Sequence, residues 1–505
     1  MKVTGKTIRL GNLGKLGKLG KLGKLGKLGK LGTASGLFMV GALIPLSVAA
    51  QVASKGIAPA SNTFRSFQDA SIARDSGLNL PLDLLNDFYP AIEVTIADSD
   101  NVRRRPDLDE SDQVITAAPS LAYRTNIGRH KFYAGYTGRF TFHQDIEQED
   151  AESHVVNANL GLDIARSWDL DLFAGYGDSF ERRGISGTLP FDSIQVGGFS
   201  NGPNEVEFRN YGADLIYGRK LEKWQAVLGY EYYETDFTNN GQGDDNPLGN
   251  RSRSATSVHF DLNYRIGNKL SVFGRIEKTD IDFDRSLDTL DSDQTDFLLG
   301  LRWKPSNALS GVVAIGHSDR DFDLEGRSSF DGEIYYANLS YNINPFSVID
   351  FAASRAVEEA GDNLSDFFVS DLIGVSWTHS ITPQLVFNAF AKRIEDDFST
   401  DREDRFFDFG LALDYAWKSY LTVGIFYNDI ERRSTLDNIE FDQVSYGIRL
   451  RSDLRSLLGS SRRERGPEPS SFPADRVIET SRRSSKSTSS TQSTQSLVNS
   501  SDFGL

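Results

Sequence analysis

The chain has no cysteine in its 505 residues. That excludes a disulfide scaffold, a thiolate metal site and a cysteine nucleophile. Long apolar runs are also missing. From residue 91 to about 451 no stretch approaches the ~18 apolar residues of a membrane-spanning helix. Positive charge is in deficit: Lys and Arg total 55 against 71 Asp and Glu, a formal net charge of −16. A nucleic-acid-binding protein needs a basic footprint, so no nucleic-acid partner is expected. The six histidines (His130, His143, His154, His259, His317 and His379) sit on different segments with no zinc spacing. No Gly-x-Ser-x-Gly elbow occurs. Asp280-x-Asp282-x-Asp284 and Asp319-x-Asp321-x-Asp323 begin like calcium loops, but Arg285 and Leu324 stand where the sharp turn requires Gly. No enzymatic activity, cofactor or metal is expected from these patterns.

What is present divides the chain into regions of different physics. Residues 1–50 carry nine basic side chains and no acid. Residues 13–32 repeat Leu-Gly-Lys, a short apolar run follows at 37–46, and small residues close the segment at 47–50. Basic, then apolar, then small is the order of a secretory signal peptide. Glycine at every third position disfavours a helix, and the spacing misses the phosphate-loop pattern. Residues 51–90 are expected to be a periplasmic N-terminal segment. Residues 452–505 contain 16 serines and little that can form a core, so they are expected to be a disordered periplasmic tail. Between these, residues 51–451 hold 38 basic against 65 acidic side chains, a net charge of −27.

The middle region alternates with period two. Val258, Phe260, Leu262, Tyr264 and Ile266 interleave with His259, Asp261, Asn263 and Arg265. Phe407, Phe409, Leu411, Leu413, Tyr415 and Trp417 interleave with Asp408, Gly410, Ala412, Asp414 and Ala416. Successive side chains of a strand point to opposite faces, so each segment has one apolar face and one polar or small face. About 18 such segments follow one another, beginning near 91, 113, 131, 154, 169, 205, 224, 255, 269, 294, 308, 332, 346, 367, 384, 404, 420 and 438. Their lengths suit the ~9–11 residues that cross a bilayer at a tilt.

The connections alternate between short and long. Short ones fall at 126–129, 166–168, 220–223, 267–269, 305–307, 344–345, 382–383 and 418–419. Acid-rich long ones include 144–152, 282–296, 319–325 and 395–404. A soluble sandwich or propeller gives no reason to sort both length and charge between two ends. An outer-membrane barrel does, with short periplasmic turns and longer outer loops. The five tryptophans, Trp168, Trp224, Trp303, Trp377 and Trp417, all lie in or beside a short connection. Tryptophan prefers the membrane–water interface, so they are expected to form a girdle there. The fold expected is an all-β, antiparallel, up-and-down transmembrane barrel of about 18 strands over residues 91–451, with outer-membrane lipids and the barrel-assembly machinery as partners.

Period two also assigns an inward face. Lys131 and Arg139 fall on it, as do His259, Asp261 and Arg265. Arg275, Glu277 and Arg302 join them, with Lys392, Asp408 and Asp414. These eleven are the candidate lumen-lining residues. A barrel of this size has room for an aqueous channel, which mixed charges either line or partly close by lateral ion pairs.

One group of motifs carries a family resemblance. Residues 90–94, then Asp100-Asn101-Val102, then Pro119-Ser120-Leu121 resemble the opening of an outer-membrane β-barrel porin family of Gram-negative bacteria. Arg183-Gly184, after the fifth segment, is similar to that family's acidic-Arg-Gly stretch. The resemblance implies an outer-membrane location, association with exopolysaccharide or capsule gene clusters, and polysaccharide-export components as partners. The residues themselves leave two classes open: a porin-like conduit, and a structural or adhesive barrel without transport.

Overall fold

The computed structural model describes residues 88–453, apart from 105–109, 181–183, 185–202, 204, 219–222, 238–251, 268, 285–289, 307, 361–364 and 437–438. The leader 1–50, residues 51–87 and the tail from 454 lie outside the described residues. The chain opens with β1 (Phe88–Ser99), β2 (Asp112–Ile127), β3 (His130–His143), β4 (Ala151–Ala165), β5 (Trp168–Phe180) and β6 (Glu205–Tyr217). Then come β7 (Trp224–Phe237), β8 (Arg253–Arg265), β9 (Leu270–Phe283), β10 (Ser292–Trp303), β11 (Leu309–Phe322) and β12 (Phe330–Asn344). The wall ends with β13 (Ser347–Glu359), β14 (Phe367–Thr382), β15 (Leu385–Phe398), β16 (Glu403–Lys418), β17 (Leu421–Ser434) and β18 (Phe441–Asp453).

These strands form one antiparallel sheet of 18. Each pairs with its neighbours in chain order, and β1 pairs with both β2 and β18, from Ala91↔Asp453 to Ser99↔Ser445. The sheet therefore closes and has no free edge, which is what a strand-built wall needs where no water can satisfy its backbone. Outward rows carry large apolar side chains: Ile276, Phe297, Leu299 and Ile315 are all exposed on β9 to β11. Such a band is the surface a barrel presents to lipid. Four two-residue turns (after β4, β12, β14 and β16) are each preceded by a one-residue register shift. A bulge there adds the twist that lets so short a connection reverse the chain.

Two expectations from the sequence change. The acid-rich stretches at 144–152, 282–296, 319–325 and 395–404 are only partly loops. Asp280 and Asp282 lie on β9, Asp293 on β10, Asp319 and Asp321 on β11, and Glu395 to Asp397 on β15. Above the apolar band an outward side chain meets water, so charge is allowed while the backbone ladder continues. Hydropathy therefore ends before the strand does. Connection length is also less sorted than expected: residues 399–402 join β15 to β16, whereas the turn between β6 and β7 spans 218–223.

Candidate functional site

The site is the interior of the wall, which the alternation of each strand dictates. All eleven sequence candidates fall on the rows that face inward. Lys131, at a strand end, is exposed, and Arg139, Arg265, Arg302 and Lys392 are half-buried. His259, Asp261, Arg275, Glu277, Asp408 and Asp414 are buried.

Neighbouring strands pair these charges across the wall. Arg275 holds Asp261 with two hydrogen bonds, one of 2.7 Å from Nη2, and reaches Glu277 at 3.3 Å. Lys392 meets Asp408 at 2.8 Å, and Arg449 donates to Asp414 at 2.7 Å. Arg302 donates to Asn263 and lies 4.1 Å over the Phe273 ring. His259 approaches Asp214 at 3.5 Å across Gly229, where an added Cβ would lie within 2.6 Å of both side chains. Glycine there makes the contact between β6 and β8 sterically possible. Such fork-shaped, charge-assisted pairs fix geometry as well as neutralise charge.

The inward face is not uniformly polar. Phe273, Leu298, Val312, Ala314, Ile334 and Tyr336 form a buried apolar cluster on β9 to β12. The expectation of one polar inner face holds for β8 but not for these strands. Their inward positions pack against one another and so gain from burial.

At the loop end lies a constellation that the sequence reading missed. Arg104, Arg253, Arg320, Arg402 and Arg432 are all buried there. Each guanidinium stacks on a phenylalanine: Phe441, Phe283, Phe322, Phe398 and Phe406 respectively, at 3.9 to 5.8 Å. Asp404 accepts from both Arg402 and Arg432, the latter at 2.8 Å. Burial pushes the Arg104 guanidinium down to about 10, with Asp408 opposing the shift and Arg432 adding to it. It remains protonated at neutral pH. These arginines sit at or beyond strand ends, where the hydropathy pattern has faded. Only Arg320 has its phenylalanine within two residues in sequence, so no shared sequence signal marks the set.

The family motifs meet at this end. Asp100 takes the Val444 backbone N–H on its carboxylate at 2.7 Å, and Asn101 donates to the Asp442 carbonyl at 3.1 Å. Val102 begins the turn that brings Arg104 over Phe441 with a positive φ of 54°. Gly184, after β5, reaches the start of β18: a Cβ on it would stand 2.7 Å from the Phe441 ring, and its φ is 58°. Two motifs far apart in sequence thus close on one aromatic ring of β18. Pro119 sits opposite Gly138, where the β2–β3 ladder skips two rows, as expected of a residue without an N–H. Arg183 lies outside the described residues. At the opposite end, Trp168, Trp224, Trp377 and Trp417 stand exposed on outward rows, and Trp303 shares their side of the wall. Trp168 pairs with Tyr217 and Trp224 with Tyr264.

The wall is also interrupted at one place. Pairing between β12 and β13 stops at Tyr335↔Arg355, although β12 continues to Phe330 and β13 to Glu359. Above that row β13 and β14 stay paired with each other as a hairpin. Val357, Phe367 and Val369 belong to the rows that present Ile373 and Val375 outward lower down. Here they are buried against Phe322 and Phe330, which lie on inward rows of β11 and β12. The hairpin has therefore turned into the barrel. Glu359 near its tip meets Arg253 of β8 at 3.0 Å and Arg320 of β11 at 3.3 Å. Asp366 accepts from Arg327 and from the Ser328 backbone, and its own N–H donates to Ser399.

A family match agrees with this architecture. Residues 88–453 match the family model described as "Putative beta-barrel porin 2". The outer-membrane protein OpdK of Pseudomonas aeruginosa is 11% identical, with a TM-score of 0.42 over 72% of this chain and 99% of that one. OccAB3 of Acinetobacter baumannii is 10% identical, with a TM-score of 0.39 over 72% of this chain and 99% of that one. No curated protein sequence matches. The described wall and the family match coincide from end to end, and the chain belongs to the family "Putative beta-barrel porin 2", as an outer-membrane β-barrel of the porin type.

Proposed function

We propose that the barrel is a water-filled conduit in the outer membrane of a Gram-negative bacterium, tied to export of surface polysaccharide. The observation that carries the conduit is a closed wall of 18 strands with charged inward rows and apolar outward rows. The link to polysaccharide, and to export components as partners, rests on the family resemblance alone. The eleven inward side chains are then the lining of the path and not centres of chemistry. The acidic loop end faces the exterior, and the tryptophan end faces the periplasm. A second reading, a structural or adhesive barrel, has its own support in the ion pairs and the turned-in hairpin at the loop end.

Planar-bilayer recording of the pure protein decides between them. The net charge of −27 over residues 51–451 gives the mouth a negative potential. Conductance with cation preference is expected, strongest at low salt, where the screening length is ~30 Å at 0.01 M. A gene deletion lowers surface polysaccharide. A barrel that conducts nothing, with polysaccharide unchanged on deletion, establishes the structural reading instead.

A further inference from the structure

We propose that Arg253 and Arg320 form a carboxylate-binding site inside the barrel, that Glu359 occupies it as a built-in ligand, and that an acidic sugar displaces Glu359 and frees the β13–β14 hairpin. The inference names a substrate class for the conduit and rests on that reading.

Glu359 differs from the buried carboxylates of the wall that pair with buried arginines. Asp261, Asp404 and Asp414 sit on rows paired to a strand on each side. They are fixed in the wall and cannot leave their partners. Glu359 sits on the hairpin that has left the wall, four rows beyond the last β12–β13 pair. Its two arginines come from β8 and β11, neither of which neighbours β13. The contact therefore spans the interior and exists only while the hairpin is folded in.

The arginines are built to take a planar anion. Arg320 is fully buried; its Nε donates to Ser292 at 3.1 Å and its Nη1 to Glu359. Its Nη2 is buried and finds no hydrogen-bond partner among the described residues. One donor of the fork is thus left over after Glu359 has bound. The Phe283 and Phe322 rings hold the two guanidinium groups from one side. A guanidinium fork matches a carboxylate with two parallel hydrogen bonds, which the single contact from Glu359 to each arginine does not supply.

Charge balance sets the ligand class. Removing Glu359 without a replacement takes from the fully buried Arg320 the one carboxylate it bonds, which is strongly unfavourable. A neutral sugar cannot compensate for that. A sugar carboxylate can, because it exchanges one charge-assisted pair for another. The rim carboxylates Asp280, Asp293 and Asp321 stand on outward rows and do not face the incoming group, whereas Asp296 is buried on an inward row of β10 and attracts Arg320 from its side. What opposes release is local: the packing of Val357, Phe367 and Val369 on Phe322 and Phe330, and the bonds of Asp366 to Arg327 and Ser328.

The test uses full-length protein in lipid vesicles at 0.15 M salt. A cysteine at Val357, fully buried here, is the only thiol in the chain. Its labelling by a water-soluble maleimide is expected to be slow, to accelerate several-fold with galacturonate, and to be unchanged by galactose. Glu359→Gln in the same background should label fast without any sugar and gain nothing from galacturonate. Equal effects of the two sugars, or slow labelling of the Glu359→Gln protein, overturn the site. If Val357→Cys does not give a heat-modifiable barrel, Ser365→Cys, buried at the same hairpin, takes its place. Conductance is recorded separately. A barrel that conducts without a galacturonate response loses the carboxylate site and keeps the conduit; a response without conductance does the reverse.

Discussion

At the short-turn end the large side chains point outward and stand free. Four of the five tryptophans are exposed there, two packed at a tilt on tyrosines of the next strand. At the loop end the large side chains point inward and are buried, and they are arginines on phenylalanines, neutralised by carboxylates. Both ends use the same two-residue alternation. They differ in what lies on each side of the wall. Lipid headgroups beside the turns reward an amphipathic ring facing out. Above the membrane the outer side is water, so the ordering forces there come from the interior. The first end is ordered from outside the wall and the second from inside it.

The largest expected effect breaks the loop end. Asp404→Asn removes the carboxylate shared by Arg402 and Arg432, both buried. Stripping one partner from a buried ion pair costs about 3–5 kcal/mol. Denaturant unfolding in lipid vesicles should show a loss of that order; a change below about 1 kcal/mol would place water around these groups. Next comes Gly184→Ala. The new methyl meets the Phe441 ring, and the backbone stays in the left-handed region. A cost of about 1–3 kcal/mol is expected, together with faster protease cleavage between β5 and β6 and an unchanged barrel core. Wild-type cleavage in the variant would show that Gly184 does not hold its connection against β18. The smallest effect belongs to the turn end. Trp224→Ala loses a ring pair with Tyr264 at 4.4 Å, worth about 0.5–1.5 kcal/mol. The same unfolding measurement should rank it below Asp404→Asn; the opposite ranking would reverse the roles of the two ends.

The strands were legible because their cause is local. A position facing lipid must be apolar and its neighbour need not be, so each of the 18 segments announced itself within three residues of its start in the structure. The eleven inward residues followed from the same rule. Glu359, Arg253 and Arg320 did not, because they lie where strands run on past the membrane and the outward rows carry Asp instead of Leu. Asp280-x-Asp282 begins like a calcium loop for that reason, yet it is a strand extension, with Ile281 between the two buried inside the barrel.

The sequence by itself determined the alternation, a strand number of about 18 and the end at which the tryptophans lie, since each depends on a residue and its immediate neighbours. Only the tertiary structure decided that β13 and β14 leave the wall above Tyr335↔Arg355 and that Glu359 spans the interior to Arg253 and Arg320. It also brought Asn101, Arg104 and Gly184 together on β18. The reason is that these contacts join residues separated by up to hundreds of positions, and closure of the sheet, not any local preference, sets which of them meet.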